Sequence, residues 1–255
     1  MIPTERREAI VKLVESKGVL SIPELADLLN VSAITVRRDL KEICSQGILQ
    51  SVFGGVRSKN RSSIEPRRDY FENRAKPQKK AIALKASKII PKNSCIFLDA
   101  GTTTYALAEF ITDRSDLTII TNDFIITNLL MLQSKCKLIH TGGTVARGNS
   151  ACVGDATSRS LLNYNIDIAF VSSPSWDARG ITTSAEEKVS VKRSLMQCSQ
   201  RMVLLVDSLK FGTTSTYLSL PLKAFDTIIT DKGLSDEDKD LIHSSGISLV
   251  FAEMN

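Results

Sequence analysis

Apolar residues in the first sixty positions recur at helical spacing and then switch to alternation. Ile10, Leu13 and Val14 predict a helix over Glu5–Glu15, and Gly18 follows as a stop. Ser21 then precedes Ile22-Pro23-Glu24. Ser as N-cap, Pro in the first turn and Glu three residues after the cap predict a second, short helix with Leu25, Leu28 and Leu29 as its apolar face. Asn30-Val31 is a tight connection, and Ser32 caps a third helix that runs to Ser45 and closes at Gly47. On a wheel of about 100° per residue, Val36, Leu40 and Ile43 of that helix fall within about 60° of one another and form a buried stripe. Thr35, Arg37, Arg38 and Lys41 lie outside it. Ile48 to Phe53 alternates and meets Gly54-Gly55, the pattern of a small β-hairpin.

Residues 58–77 hold few apolar anchors (Ile64, Tyr70, Phe71) among charges and two prolines, Pro66 and Pro77, and read as a linker with one helical turn near Arg68–Arg74. Beyond it, short apolar runs alternate with amphipathic helices. The first helix spans Lys79–Ile90 and the first strand Cys95–Leu98. Further strands are predicted at Leu117–Ile120, Lys137–His140, Ile168–Val171, Met202–Val206, Thr227–Thr230 and Ile247–Phe251. This order predicts an α/β body with a mainly parallel sheet covered on both faces. The chain therefore divides into a head (1–57), a linker (58–77) and a body (78–255).

Composition narrows the classes. In 255 residues, 42% hydrophobic and 24% charged, there is enough apolar surface for a core and no low-complexity bias. No run of about 18 apolar residues predicts a transmembrane helix, and no signal peptide is expected at the N-terminus. Five cysteines without C-x-x-C spacing read as reduced, mostly buried thiols of a cytoplasmic protein. Two distant histidines, His140 and His243, give little support for a metal site. Charge is uneven: residues 1–80 carry net +6, and the remainder net −1. A basic head on a near-neutral body suggests a polyanionic partner, although a solvated charged face would give the same balance.

Spacing decides between them. A capped short helix, a tight turn, a basic helix and a hairpin come in the order of a winged helix-turn-helix. Arg38 and Thr35 are placed to read bases, and Ser32, Arg37 and Lys41 to hold the backbone of double-stranded DNA. Arg57, with Lys59 and Arg61, follows the hairpin and is expected on phosphates. A helical mini-bundle for protein contacts is the alternative.

In the body, ligands of parallel sheets sit beyond the carboxyl ends of the strands. Asp99-Ala100-Gly101-Thr102-Thr103-Thr104 opens a helix after the first strand. Glycine, hydroxyls and free helical N–H groups suit a phosphate or carboxylate, and a plain capped turn is the bland reading. Thr121-Asn122, Gly142-Gly143 with Arg147, and Asp207 with Lys210 stand after later strands. The convergence of these clusters predicts one anion-binding rim, with Lys210 and Arg147 as its cations.

The run Val31-Ser32-Ala33-Ile34-Thr35-Val36-Arg37-Arg38-Asp39-Leu40, then Gly47-Ile48-Leu49 and Gly54-Gly55, resembles the DNA-binding head of DeoR-type bacterial regulators. The rim clusters, with Lys210-Phe211-Gly212 and Ile229-Thr230-Asp231, resemble the sensor half of that family. The wing departs at Ser51, Phe53 and Val56, where the family tends to carry Arg, His and Ala. The resemblance implies a ribose-5-phosphate-isomerase-like sensor fold and phosphorylated sugars or sugar derivatives as effectors. Ser172–Asp177 departs from the glycine-rich segment of many relatives; Pro174 and Trp176 are candidates to shape the ligand pocket, with Trp176 as plain core or an oligomer contact the alternative. The expected protein is a repressor of a sugar or sugar-acid operon, a homodimer or homotetramer without cofactor, metal or catalytic residue. The competing expectation is an isomerase-like or hydrolytic sugar-phosphate enzyme with an accessory head, for which Asp99, Asp207 and Glu187 are the available carboxylates.

Overall fold

A computed structural model describes residues 2–45, 49–52, 54–58 and 67–254. Gly47, Ile48, Phe53, Lys59, Arg61, Ile64 and Pro66, invoked above for the helix stop, hairpin, wing contacts and linker, lie outside the described residues. In chain order the head comprises α1 (Pro3–Lys17), β1 (Val19–Ser21), α2 (Ile22–Leu29), α3 (Ala33–Ser45), β2 (Leu49–Val52) and β3 (Gly55–Ser58). Two short connecting segments follow, α4 (Arg68–Glu72) and the start of α5 (Lys76–Ser87). The body then runs β4 (Cys95–Leu98), α6 (Thr102–Phe110), β5 (Thr118–Thr121), α7 (Phe124–Gln133), β6 (Lys137–His140), β7 (Thr144–Ala146), β8 (Ala151–Val153), α8 (Gly154–Leu161) and β9 (Ile166–Ser172). It continues with β10 (Ser175–Asp177), β11 (Gly180–Thr183), α9 (Glu187–Cys198), β12 (Ser199–Leu205), β13 (Tyr217–Pro221), β14 (Thr227–Asp231), α10 (Asp236–His243) and β15 (Ser248–Ala252).

The head is a winged helix-turn-helix. Ser21 Oγ accepts from Glu24 N while Glu24 Oε2 accepts from Ser21 N at 2.8 Å, so the predicted capping box closes. Asn30 ends α2 in the left-handed region. Ile10, Val14, Leu25, Val36, Leu40 and Ile43 share one core. A second tie escaped the sequence: Arg6 Nε donates to the buried Asp39 at 2.5 Å and clamps α1 to α3. The hairpin β2–β3 also pairs with β1, giving the order β1-β3-β2. Gly55 is required by that pairing, since a Cβ there would lie 2.4 Å from the Leu20 carbonyl oxygen.

The body is built on seven parallel strands in the order β15-β14-β12-β9-β4-β5-β6. Strand residues alternate between two cores. Phe97, Ala169, Val171 and Leu204 face α8, α9 and α10, whereas Ile96, Leu98, Phe170 and Val203 face α5, α6 and α7. The chain builds outward from β4 in one direction, then returns to place β9 on the other side of it. The β4–β9 boundary is thus the topological switch point, where a crevice opens beyond the strand ends. An antiparallel sheet, β10-β11-β13, and the pair β7-β8 add to this framework. Their short strands left no periodic signal in the sequence.

Several expectations shift. The segment read as a linker holds its expected helical turn as α4 and runs directly into α5, with Arg68 buried within the segment and Lys79 buried just beyond it. Trp176 is fully buried, edge-on to Phe211 at 4.7 Å, with Nε1 donating to the Asp207 carbonyl; it is core rather than pocket wall. Of the cysteines only Cys152 is buried, and the other four are half-buried without a disulfide. No helix among the described residues is long and apolar enough to cross a membrane.

Candidate functional site

Two surfaces hold the residues singled out from the sequence. On the head, Arg37, Arg38 and Lys41 are exposed on α3, opposite its buried stripe. Ser32 Oγ accepts from Thr35 N at 3.2 Å and also meets Thr35 Oγ1 at 2.9 Å, so both residues complete the helix cap. Their position at the N-terminal end of α3 gives phosphate a favourable dipole beside three cations.

Arg57 is not part of this surface. Alternation along β3 sends Val56 into the head core and Arg57 to the opposite side, toward the body. Its Nε donates to Gln50 Oε1 at 3.1 Å, and its guanidinium lies over the Phe211 ring, 5.9 Å from the centroid. Burial depresses its pKa. Gly212 lies beneath it, with φ of +71°, and a Cβ there would come within 2.0 Å of the guanidinium. The residue expected on phosphate is instead a packing contact between head and body.

In the body, a cleft of about 650 Å³, its open mouth included, lies at the β4–β9 switch point. Asp99, Gly101, Thr102, Asn122 and Lys210 line it, together with Ser172, Ser173 and Pro174 after β9. Gly101 is needed because a Cβ would come 2.6 Å from Ser172 Oγ. α6 opens here, and its first amides have no carbonyl within the helix to bond. Asn122 is a spacer: Oδ1 accepts from Ala100 N at 3.0 Å and Nδ2 donates to the Cys152 carbonyl at 2.9 Å.

Asp123 organises the layer beneath the cleft. One oxygen caps α7 through Ile125 N and Ile126 N, and the other accepts from Gly101 N at 3.2 Å and Arg68 Nη1 at 2.5 Å. Burial raises its pKa, an effect that the Arg68 charge opposes. Across the cleft, Lys192 Nζ is paired with Asp99 Oδ2 and donates to the Ser172 carbonyl at 2.9 Å. Lys210 Nζ lies 3.3 Å from Asp207 Oδ2. Among the described residues, Arg68, Lys188, Lys192 and Lys210 thus bring four cationic side chains to the lining, against Asp99 as its one carboxylate.

Other expected rim residues stand elsewhere. Thr103 and Thr104 point into the fold; the Thr104 hydroxyl donates to the Asp99 and Gly101 carbonyls, and Thr103 Oγ1 is buried without a partner. The Thr121 hydroxyl donates to the Leu98 carbonyl and braces β4 against β5. Gly142 and Gly143 follow β6, the edge strand, two positions from the switch point and so about 10 Å from β4. The Gly142 carbonyl accepts from Thr157, and Gly143 packs so tightly on Thr157 that a Cβ would come 2.0 Å from its hydroxyl. Arg147 is exposed and outside the cleft lining, which Asn149 reaches instead.

A second cleft, of about 630 Å³ with its open mouth included, adjoins the first at the junction of head and body. Phe71, Pro174 and Lys210 line both. Lys210 Nζ sits 5.3 Å from the Phe71 ring centroid, and the buried Lys79 amine donates to the Phe71 carbonyl. On the preceding residue of α4 the contacts turn to the head. The Tyr70 hydroxyl lies 2.5 Å from the Lys17 carbonyl oxygen and 2.6 Å from that of Val19, and Arg74 donates to Val19 as well. Burial pushes the Tyr70 pKa up to about 12, so the phenol keeps its proton as a donor. One short helix therefore touches the cleft through Arg68 and the head through Tyr70.

Among known proteins, the DeoR-like helix-turn-helix domain matches residues 6–62, and the DeoR C-terminal sensor domain matches residues 74–232. The uncharacterized HTH-type transcriptional regulator YgbI of Escherichia coli K12 is 45% identical over 253 residues, 99% of each chain. The glycerol-3-phosphate regulon repressor of the same strain is 29% identical over 91% of this chain and 92% of its own. Among solved structures, ribose 5-phosphate isomerase A of Methanocaldococcus jannaschii aligns at 18% identity over 52% of this chain and 53% of that one, with a TM-score of 0.39, too remote to argue from.

Proposed function

The chain belongs to the DeoR family of helix-turn-helix transcriptional regulators, and from that premise we propose that it represses a sugar or sugar-acid catabolic operon and is released by a phosphorylated effector bound at the β4–β9 cleft. The observation that carries this reading is the cleft itself: four cationic side chains and the opening turn of α6 around one crevice at the switch point. The glycerol-3-phosphate regulon repressor and a putative aga operon transcriptional repressor among its relatives agree in kind. The α6 amides at Thr102 receive the phosphate, Lys210 and Lys188 neutralise it, and Asn122 keeps the Ala100 turn and the Cys152 segment apart around it. Asp99 and Asp207, each paired with a lysine, serve as anchors for those cations rather than as acid–base catalysts.

Release needs a path to the head, and α4 supplies one. An anion in the cleft competes with Asp123 for Arg68 and draws Lys210 from Phe71. Either shift moves α4, and Tyr70 and Arg74 carry the movement to the carbonyls of Lys17 and Val19. A coupling of ~1–3 kcal/mol changes operator occupancy ~5–150-fold. Head 1–57, connecting segment 58–77 and body 78–255 are the units of this device. It works in the cytoplasm as a homodimer or homotetramer, because one head covers a small interface and paired heads reach two half-sites.

A thermal-shift screen with phosphorylated sugars and sugar acids, followed by anisotropy on operator DNA, tests the proposal. The expected result is a ligand that both raises the melting temperature and frees DNA. Stabilising ligands that leave DNA affinity unchanged would refute the gating.

A further inference from the structure

The side chain that stands out most from the basic side of α3 is apolar. Ile34 is 77% exposed, more than any other large hydrophobic residue among those described. It lies four residues before Arg38 and seven before Lys41, so the three form one stripe along the helix, and Arg37 flanks it. Val36, Leu40 and Ile43 fix the opposite side in the head core, so α3 cannot roll to hide Ile34. The residue also sits in the first turn of α3, the part of a recognition helix that meets base edges.

Few features of duplex DNA suit an apolar side chain ringed by cations. Phosphates present charge, and the carbons of the sugars lie along the backbone, away from the floor of the groove. The major-groove edges of the bases present donors and acceptors, and among them one apolar group, the C5-methyl of thymine. We infer that Ile34 is a specificity-determining residue that packs on a thymine methyl in the major groove of the operator. Arg38, one turn further along the stripe, reads an adjacent base, and Lys41 meets the phosphate beyond. The inference rests on the DNA-binding reading of the head and adds to it a preference for thymine at one position of each half-site.

The test uses the full chain. Wild-type protein selects a duplex from a random library, and each thymine of that duplex is replaced singly by deoxyuridine, which removes the methyl alone. Anisotropy is then measured for wild type, Ile34→Ala and Ile34→Val. At one position per half-site, uracil should weaken wild-type binding about fourfold, the loss expected for one methyl-sized apolar contact. At that position uracil should cost Ile34→Ala nothing, and Ile34→Val should fall between. Unchanged melting temperatures of both variants exclude a folding defect. Equal sensitivity of wild type and Ile34→Ala to every uracil overturns the inference. So does a changed oligomeric state of Ile34→Ala with unchanged uracil sensitivity, which assigns the residue to a contact between copies. If wild type selects no sequence and its affinity does not fall with salt, the DNA-binding reading itself fails.

Discussion

Arg68 and Asp123, 55 positions apart in the chain, meet at 2.5 Å beneath the lining of the cleft, and both side chains are buried. The carboxylate also caps α7 and accepts from Gly101 N, so removing Arg68 strands a charge that three amides still hold in place. Breaking such a pair costs ~3–5 kcal/mol. Arg68→Ala is expected to lower the melting temperature by roughly 6–20 °C, at ~2–4 °C per kcal/mol for a protein of this size. Adding Asp123→Asn should recover part of the loss. A melting curve unchanged by Arg68→Ala would show that the contact carries no weight.

Arg38 and Arg57 should separate cleanly on DNA. Arg38→Ala is expected to weaken operator binding by ~1–3 kcal/mol and relax its sequence preference. Arg57→Ala should leave the salt dependence of binding unchanged, since a buried guanidinium over Phe211 releases no counterion. A log–log slope shallower by about 0.9 in Arg57→Ala would return that residue to the phosphate backbone.

Effector binding should follow the cleft lining rather than the threonine run. Gly101→Ala drives a Cβ against Ser172, and Lys210→Ala removes a cation from the lining. Both variants should lose ligand-induced stabilisation in thermal-shift assays. Thr103→Val should keep the response, because its hydroxyl is buried without a partner and away from the lining. A Thr103→Val protein blind to the ligand would contradict this placement.

Lys79 gives a pH signature. Burial, and then the nearby Lys210 charge, push its amine down to about 7 from the ordinary 10.5. Between those values the unfolded chain binds a proton that the folded chain does not, so this lysine makes stability rise with pH. Below about 7 both states are protonated and the cost is full; above 10.5 it vanishes. Denaturant titrations of Lys79→Met should show a flatter rise across that window than wild type. Parallel curves would mean that the amine titrates alike in both states.

What the sequence made legible was local or topological. The capping box at Ser21 and the buried stripe of α3 depend on residues three to seven apart, and periodicity reveals such neighbours. The ends of β4 and β5 were legible because ligands of parallel sheets gather at strand termini. Arg68 and Lys192 were not, since their carboxylates lie 55 and 93 positions away and no spacing rule connects them. Gly142-Gly143 looked like a rim element, but the strand order places it at the sheet edge. Arg57 looked like a wing contact because it is basic and follows a hairpin; only the pairing of β3 with both β1 and β2 fixes the side to which it turns.

The bare α-carbon of Gly212 under the Arg57 guanidinium also limits how freely such regulators can exchange parts. A foreign sensor grafted behind this head accommodates the Arg57 guanidinium in its present seat when it carries glycine at that spot, where φ of +71° favours glycine as well, and a foreign head with a shorter residue in place of Arg57 would seat loosely on this sensor. Recombination between paralogues should therefore succeed when the arginine and the glycine travel together, which makes the pair a compatibility key for building hybrid switches.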